Sequence, residues 1–172
     1  MLDRHTILKL FEKLNAKLAQ KNTRGEVGIV GGAVMCLVYD ARQATKDVDA
    51  IFAPTTLIRE LAHQISEEEE LEDGWLNDGA KGYLVAGFEK NEVLTLSHLT
   101  VWAPEPKYML AMKCLSARFD SEDGNDVRFL IKHLKLSTVV QVLDIVSKYY
   151  PKNQIPAKTT FFLEEIFEAE KK

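Results

Sequence analysis

Two short runs of this chain carry residue types suited to phosphate and metal chemistry. Gly31 and Gly32 close an apolar run, and Asp47 and Asp49 follow further along the chain. Paired glycines let the backbone approach a ligand closely, and two aspartates in strand alternation project from one face. Carboxylate oxygens suit Mg²⁺, which usually also keeps waters and substrate phosphates. Together the runs predict a site for a metal-bound nucleotide.

Local periodicity predicts the elements that would position these residues. Glu26–Val30 is typical of a short buried strand, and Ala33–Tyr39 is apolar enough for a packed helix. The glycines then lie at a strand-to-helix turn, where helix N–H groups attract anions. Lys46–Phe52 predicts a second strand with both aspartates on one face.

Three further residues belong to the candidate site. Arg42, Thr45 and Lys46 precede the aspartates in a loop. The cationic side chains of Arg42 and Lys46 suit a triphosphate or an RNA backbone. The structural alternatives are ordinary exposed charges and a turn residue. The glycine pair alone is also compatible with a plain tight turn, and Asp-x-Asp with a solvated strand face.

The order of these runs resembles a known signature. Gly31-Gly32 followed by Thr45-Lys46-Asp47-Val48-Asp49 is similar to the motif of the DNA polymerase β-like nucleotidyltransferase superfamily. Lys113–Arg118, with Asp123 and Asp126 after it, resembles the bacterial abortive-infection and toxin–antitoxin branch of minimal nucleotidyltransferases. Trp75-Leu76-Asn77-Asp78 is also similar to members of that branch. The resemblance covers about residues 25–135.

The resemblance implies a fold and a set of roles. It implies a small mixed sheet flanked by helices that binds a nucleoside triphosphate through Gly31 and Gly32 and Mg²⁺ through Asp47 and Asp49. Lys113 would contact phosphate or the acceptor; its structural alternative is a surface lysine with a packed stem. The implied partners are an RNA or protein acceptor and a cognate antitoxin.

The chain departs from that pattern at the third metal ligand. Active members usually carry a third carboxylate on a neighbouring central strand, whereas the strand candidate Val93–Trp102 contains no acid. Glu89 and Glu92 are the nearest substitutes in the sequence. Two functional hypotheses follow: a Mg²⁺-dependent nucleotidyltransferase, or a catalytically silent nucleotidyltransferase-like binding protein of a toxin–antitoxin or phage-defence pair. An unrelated α/β protein is the third alternative.

The wider pattern predicts a mixed α+β chain in two parts. Residues 1–103 would form the sheet-and-helix core and residues 104–172 a C-terminal helical subdomain packed on it. Leu84–Ala86 is a further strand candidate. Predicted helices cover residues 3–20, 57 to the acidic cluster Glu67–Glu70, 108–118, 125–134, 138–149 and 159–170.

Composition narrows the class of protein. With 22 basic and 26 acidic residues the chain has a mildly negative net charge, which does not suggest sequence-independent binding of nucleic acid. Cys36 and Cys114 lie in apolar helical segments without metal-ligand spacing, which favours a role as small core residues. No signal-peptide core and no run of roughly 18 apolar residues is present. We therefore expect a soluble, cytoplasmic protein.

Overall fold

The computed structural model of the protein describes residues 1–116 and 122–169. This part of the chain has the predicted mixed α+β fold, with a five-stranded mixed sheet, a two-stranded sheet and seven α-helices. The elements are β1 (Leu2–Asp3), α1 (Arg4–Gln20), β2 (Gly25–Ile29), α2 (Gly31–Leu37), β3 (Ala44–Thr45), β4 (Val48–Ala53), α3 (Thr55–Glu68), β5 (Leu76–Asn77), β6 (Lys90–Thr95), β7 (Leu99–Pro104), α4 (Pro106–Ser116), α5 (Glu122–His133), α6 (Val139–Tyr149) and α7 (Ala157–Ala169). Two short 3₁₀ helices lie at Gly79–Tyr83 and Lys152–Gln154.

Helix α1 forms where its sequence predicts it. The Asp3 side chain caps the helix by accepting a hydrogen bond from the Thr6 backbone N–H at 2.7 Å. Its apolar residues recur three and four positions apart, so they form one buried stripe. That stripe consists of Ile7, Leu10, Phe11, Leu14 and Leu18.

The five-stranded sheet has the order β5-β4-β2-β7-β6. Strand β2 at its centre pairs antiparallel with β4 and parallel with β7, while β5 is parallel to β4 and β6 is antiparallel to β7. One face is the apolar core: Val27, Ile29, Val48, Ala50 and Val101 are fully buried. Helices α1 and α3, which contact each other, also contact β7 and β4 respectively.

The register assigns side chains to the opposite face. Gly28 of β2 pairs with Ile51 of β4 and with Trp102 of β7. Asp49 is two residues from Ile51 and therefore projects from the same face. The sheet thus separates its apolar core from a face that carries the aspartate.

Three predicted strands differ from the structure. The single strand predicted for Val93–Trp102 is a hairpin, because Ser97 and His98 turn the chain between β6 and β7. Leu84–Ala86 pairs with no strand in the part of the chain that the structure describes; the Val85 N–H instead donates to Tyr108 Oη at 2.9 Å. Strand β4 begins at Val48, two residues later than predicted, since Lys46 and Asp47 form a bend.

The contacts divide the chain into two compact units. The first comprises Met1–Gly82 and Lys90–Pro104, and the second comprises Tyr83–Glu89 and Glu105–Lys172. Four helices of the second unit match the predicted C-terminal ones within a few residues; the predicted helix ends at Arg118 and Glu170 lie outside the described residues. Within the described ranges, no helix is long and apolar enough to cross a membrane.

Candidate functional site

The glycine turn at the end of β2 is built around Asp49. Gly31 has a φ of +64°, a left-handed conformation that glycine adopts without steric cost. A Cβ atom on Gly31 would lie 3.2 Å from Asp49 Oδ2. The backbone joins the same two segments, because the Val30 N–H donates to the Asp49 carbonyl at 2.9 Å. The predicted pairing of turn and carboxylate therefore exists within the first unit.

The loop before β4 approaches the glycine turn at Gly32. A Cβ atom there would lie 2.5 Å from Thr45 Oγ1 and 3.1 Å from Arg42 Nη1. Thr45 is buried and its hydroxyl donates to the Asp47 carbonyl at 3.2 Å, whereas Arg42 is half-buried. Thus Arg42 and Thr45 lie against the glycine turn.

Asp47 does not share the strand geometry of Asp49. It lies on the bend before β4, so the alternation that places side chains on one face of a strand does not extend to it. Asp47 and the exposed Lys46 instead line a cavity of about 540 Å³, together with Trp75 and the segment Glu70–Asp73. Of the two predicted metal ligands, Asp49 is the one held at the glycine turn.

The strand next to Asp49 carries a residue to which the sequence assigned no role. Parallel pairing of β4 and β5 sets Asn77 directly beside Asp49. A Cβ atom on Gly79 would lie 3.0 Å from Asn77 Oδ1 and 4.0 Å from Asp49 Oδ1. The resemblance of the Trp75–Asp78 run pointed to this segment of the chain. The sequence did not show that Asn77 pairs with Asp49, because that pairing is a sheet contact between distant segments.

Glu92, one of the two substitutes predicted for a third carboxylate, is not beside Asp49. Glu92 pairs with Trp102 on the edge strand β6, three strand intervals from β4. At about 4.8 Å per interval this separation is about 14 Å, too far for one cation to bind both carboxylates. Glu89 belongs to the second unit. Among the described residues, no group of three Asp, Glu, His or Cys side chains is arranged to hold a metal ion.

Lys113 is part of a buried ion cluster in the second unit. Its Nζ lies 2.8 Å from Asp126 Oδ2 and 2.6 Å from Asp123 Oδ1, and both carboxylates belong to α5. The Lys113 side chain is 8% exposed and the Asp126 side chain 2%. The surface-lysine alternative is therefore wrong. Its catalytic role stays a prediction, and Arg118 lies outside the described residues.

A second cavity adjoins the Asn77 position. It has a volume of about 600 Å³, and Asn77, Asp78, Arg59 and His63 contribute to its lining. Arg59 Nη2 lies 3.0 Å from Asp78 Oδ2. A hydrogen bond with Asp73 raises the pKa of His63 above its ordinary value. The cavity is thus polar and charged where it approaches β5.

The donors around the turn fit a hard cation better than a soft one. The carboxylate oxygens of Asp47 and Asp49 and the amide oxygen of Asn77 are ligand types that Mg²⁺ prefers. Gly31 and Gly79 leave space beside Asp49 that a Cβ atom would occupy. Burial raises the pKa of the Cys36 and Cys114 thiols, which disfavours the thiolate needed for nucleophilic or soft-metal chemistry.

Comparison with known proteins identifies the family of the chain. No curated protein sequence and no solved structure matches the chain. A family model described as a nucleotidyltransferase of unknown function, DUF6036, matches residues 5–161 and so spans the glycine turn, Asp49 and Asn77. The chain therefore belongs to the DUF6036 nucleotidyltransferase family, whose function is not known.

Proposed function

We propose that this protein is a Mg²⁺-dependent nucleotidyltransferase of the DNA polymerase β-like superfamily. It transfers a nucleoside monophosphate from a nucleoside triphosphate to a hydroxyl group of an RNA or protein acceptor. The observation that carries the proposal is the Asp49 carboxylate held against the Gly31 turn, with Arg42 beside Gly32. Family membership over residues 5–161 supports the same reaction class.

The proposed reaction balances as a simple displacement at phosphorus. The acceptor oxygen forms a bond to the α-phosphorus, the bond from that phosphorus to the bridging α–β oxygen breaks, and pyrophosphate leaves. The hydroxyl proton passes to solvent. Bound Mg²⁺ would polarise the phosphoryl oxygens and orient the attacking and leaving groups.

The residues of the chain have distinct parts in this proposal. Asp49 would hold the cation at the glycine turn and Asp47 would join it from the bend before β4. Gly31 and Gly32 would let the backbone approach the phosphates. Arg42 would neutralise phosphate charge. Positioning and electrostatic stabilisation account for most of the catalysis in such transfers, so small displacements of these groups are costly.

Thr45 and Lys46 extend the proposed phosphate site. Thr45 anchors the loop through its bond to the Asp47 carbonyl, and Lys46 offers an exposed cation for a phosphate or an RNA backbone. Lys113 is held by two carboxylates of its own unit, which favours a positioning role over direct contact with the transferred phosphate.

A labelling experiment tests the activity. Purified protein would be incubated with Mg²⁺, each α-³²P-labelled nucleoside triphosphate in turn, and total cellular RNA and protein. We expect wild type to transfer label and Asp49→Asn to transfer it at least about a hundredfold more slowly. Mutation of outer-shell partners of a metal site lowers activity by about 10–100-fold, and loss of a direct ligand should lower it further. Asp144→Asn, which neutralises an exposed carboxylate on α6, should transfer label like wild type.

The same products identify the acceptor. Loss of labelled product after nuclease treatment would indicate RNA, and loss after protease treatment would indicate protein. Transfer by Asp49→Asn at the wild-type rate would contradict the proposed site. Asp47→Ala/Asp49→Ala serves as the variant without either carboxylate.

A second candidate function rests on the missing third carboxylate. The absence of a three-residue metal group among the described residues favours a catalytically silent nucleotidyltransferase-like protein that binds nucleotide within a toxin–antitoxin or phage-defence pair. Tight Mg²⁺-dependent nucleotide binding without label transfer, in the presence of candidate acceptors and a cognate antitoxin, would support this alternative. Label transfer would exclude it.

A further inference from the structure

We propose that the amide oxygen of Asn77 is the third protein ligand of the cation site, in place of the third carboxylate that the resemblance implies. This inference rests on the proposed function, since it concerns the same metal-bound nucleotide. It assigns a role to a residue next to Asp49 in space but distant from it in sequence. It also gives the site a third oxygen ligand although the predicted strand Val93–Trp102 contains no acid.

Strand register is the first support. Asn77 and Asp49 are paired positions of neighbouring parallel strands, so their side chains project from the same face. Asn77 Oδ1 and Asp49 Oδ1 both lie within 4.0 Å of one point, the position of a Cβ atom on Gly79. Glycine at position 79 keeps that point open.

The hydrogen bonds of Asn77 fix which atom it presents. Its Nδ2 donates to the Gly74 carbonyl at 3.4 Å, and its Oδ1 accepts from the Gly79 N–H at 2.9 Å. These partners orient the amide so that oxygen, not nitrogen, lies nearest Gly79. An amide oxygen has two lone pairs, and the Gly79 N–H uses one. The second lone pair is available to a cation.

The neighbouring acid is a poorer candidate. Asp78 is adjacent to Asn77 in the sequence, but its carboxylate lies 3.0 Å from Arg59 Nη2 of α3. A cation would have to compete with that ion pair. Register and pairing therefore select the amide and not the adjacent carboxylate.

The exchange of carboxylate for amide changes the charge of the site. Two carboxylates and an amide carry one negative charge fewer than three carboxylates. Mg²⁺ is commonly bound by one or two carboxylates plus substrate phosphates. We therefore infer that the site holds its cation weakly alone and firmly only when a triphosphate supplies further oxygens.

The test measures cation binding directly, with Mn²⁺ as the paramagnetic probe. Free Mn²⁺ would be followed by electron paramagnetic resonance, first with protein alone and then with each non-hydrolysable α,β-methylene nucleoside triphosphate. The variants are Asn77→Asp, Asn77→Ala and Asp78→Asn. Asn91→Asp adds the same charge on exposed strand β6 and is the matched control.

We expect Asn77→Asp to tighten Mn²⁺ binding without nucleotide by about tenfold or more, and Asn77→Ala to weaken binding with nucleotide by about tenfold. Asn91→Asp and Asp78→Asn should match wild type in both measurements. Asp at position 77 can still accept from the Gly79 N–H, so this variant retains the turn and tests the site without unfolding it.

Two failures have separate meanings. If Mn²⁺–nucleotide binding depends on Asp49 but Asn77→Asp and Asn77→Ala behave like Asn91→Asp, the Asn77 assignment is wrong and the proposed function survives. If no triphosphate gives Asp49-dependent Mn²⁺ binding, the proposed function fails and the Asn77 assignment fails with it.

Discussion

Gly31 combines a backbone requirement with a place in the proposed site. Its left-handed φ of +64° costs roughly 1–2 kcal/mol for a residue with a Cβ atom, and that atom would crowd Asp49 Oδ2 at 3.2 Å. We expect Gly31→Ala to lower the free energy of unfolding by about 1–2 kcal/mol, measured by urea denaturation, and to weaken Mg²⁺–nucleotide binding. Gly82→Ala is the control, because a Cβ atom there meets nothing within 4 Å. Equal stability of the two variants would contradict this role.

The buried ion pair of Lys113 allows its contribution to stability to be measured. Removing its ammonium breaks the ion pair with the Asp126 carboxylate, which is 2% exposed. Breaking a buried ion pair on one side typically costs about 3–5 kcal/mol. We expect Lys113→Met to lose that much free energy of unfolding, while Lys107→Met, an exposed lysine of the same helix, changes little. A loss below about 1 kcal/mol would show that the cluster is not a structural requirement.

At the scale of elements, β2 and β7 depend on a glycine. A Cβ atom on Gly28 would lie 2.1 Å from Cζ2 of Trp102, whose indole N–H donates to Glu26 Oε1. Such overpacking costs about 1–3 kcal/mol or more. We expect Gly28→Ala to lose at least this much in urea denaturation, because the indole covers the position.

A double variant isolates the steric cause at Gly28. Gly28→Ala/Trp102→Leu should lose less free energy of unfolding than the sum of the two single changes, since the smaller side chain leaves space for the new methyl group. Additive losses within about 0.5 kcal/mol would indicate that contact with the indole is not the reason for glycine.

The helices and strands also show which features local sequence patterns predict and which they do not. The apolar spacing of α1 predicted its buried stripe correctly, because three- and four-residue spacing is a local property of the helix. The run Val93–Trp102 has the composition of one long strand, yet it turns at Ser97 and His98 and pairs with itself. Composition favours a strand on either side of that turn and does not specify its position.

At the scale of the whole molecule, each compact unit contains one buried cysteine. Cys36 lies in the first unit and Cys114 in the second. Burial raises the pKa of the Cys36 thiol, and it raises that of Cys114 to about 12. Only the thiolate reacts rapidly. We expect neither thiol to react with a maleimide in the native protein at mildly alkaline pH, and both to react in concentrated urea.

Single variants assign the two thiols. Cys36→Ser leaves a reporter of the second unit and Cys114→Ser a reporter of the first. Rapid labelling of either thiol in native protein would contradict its burial. The raised pKa of Cys114 also makes stability depend on pH. As pH rises above the ordinary thiol pKa of 9.0, the thiol ionises first in the unfolded protein, so the free energy of unfolding falls between pH 9.0 and about pH 12.

The sequence by itself determined the α+β class, the helix-forming segments and the glycine turn, and it named Asp49 as a candidate ligand, because these depend on neighbours a few residues apart. Only the tertiary structure decided that Asn77 lies beside Asp49, that Glu92 is three strands away, and that Lys113 is held by Asp126. Strand order and register arise from contacts between distant segments, and a one-residue shift would move every side chain of a strand to the other face. Local patterns identified the chemical groups, and the sheet decided which of them meet.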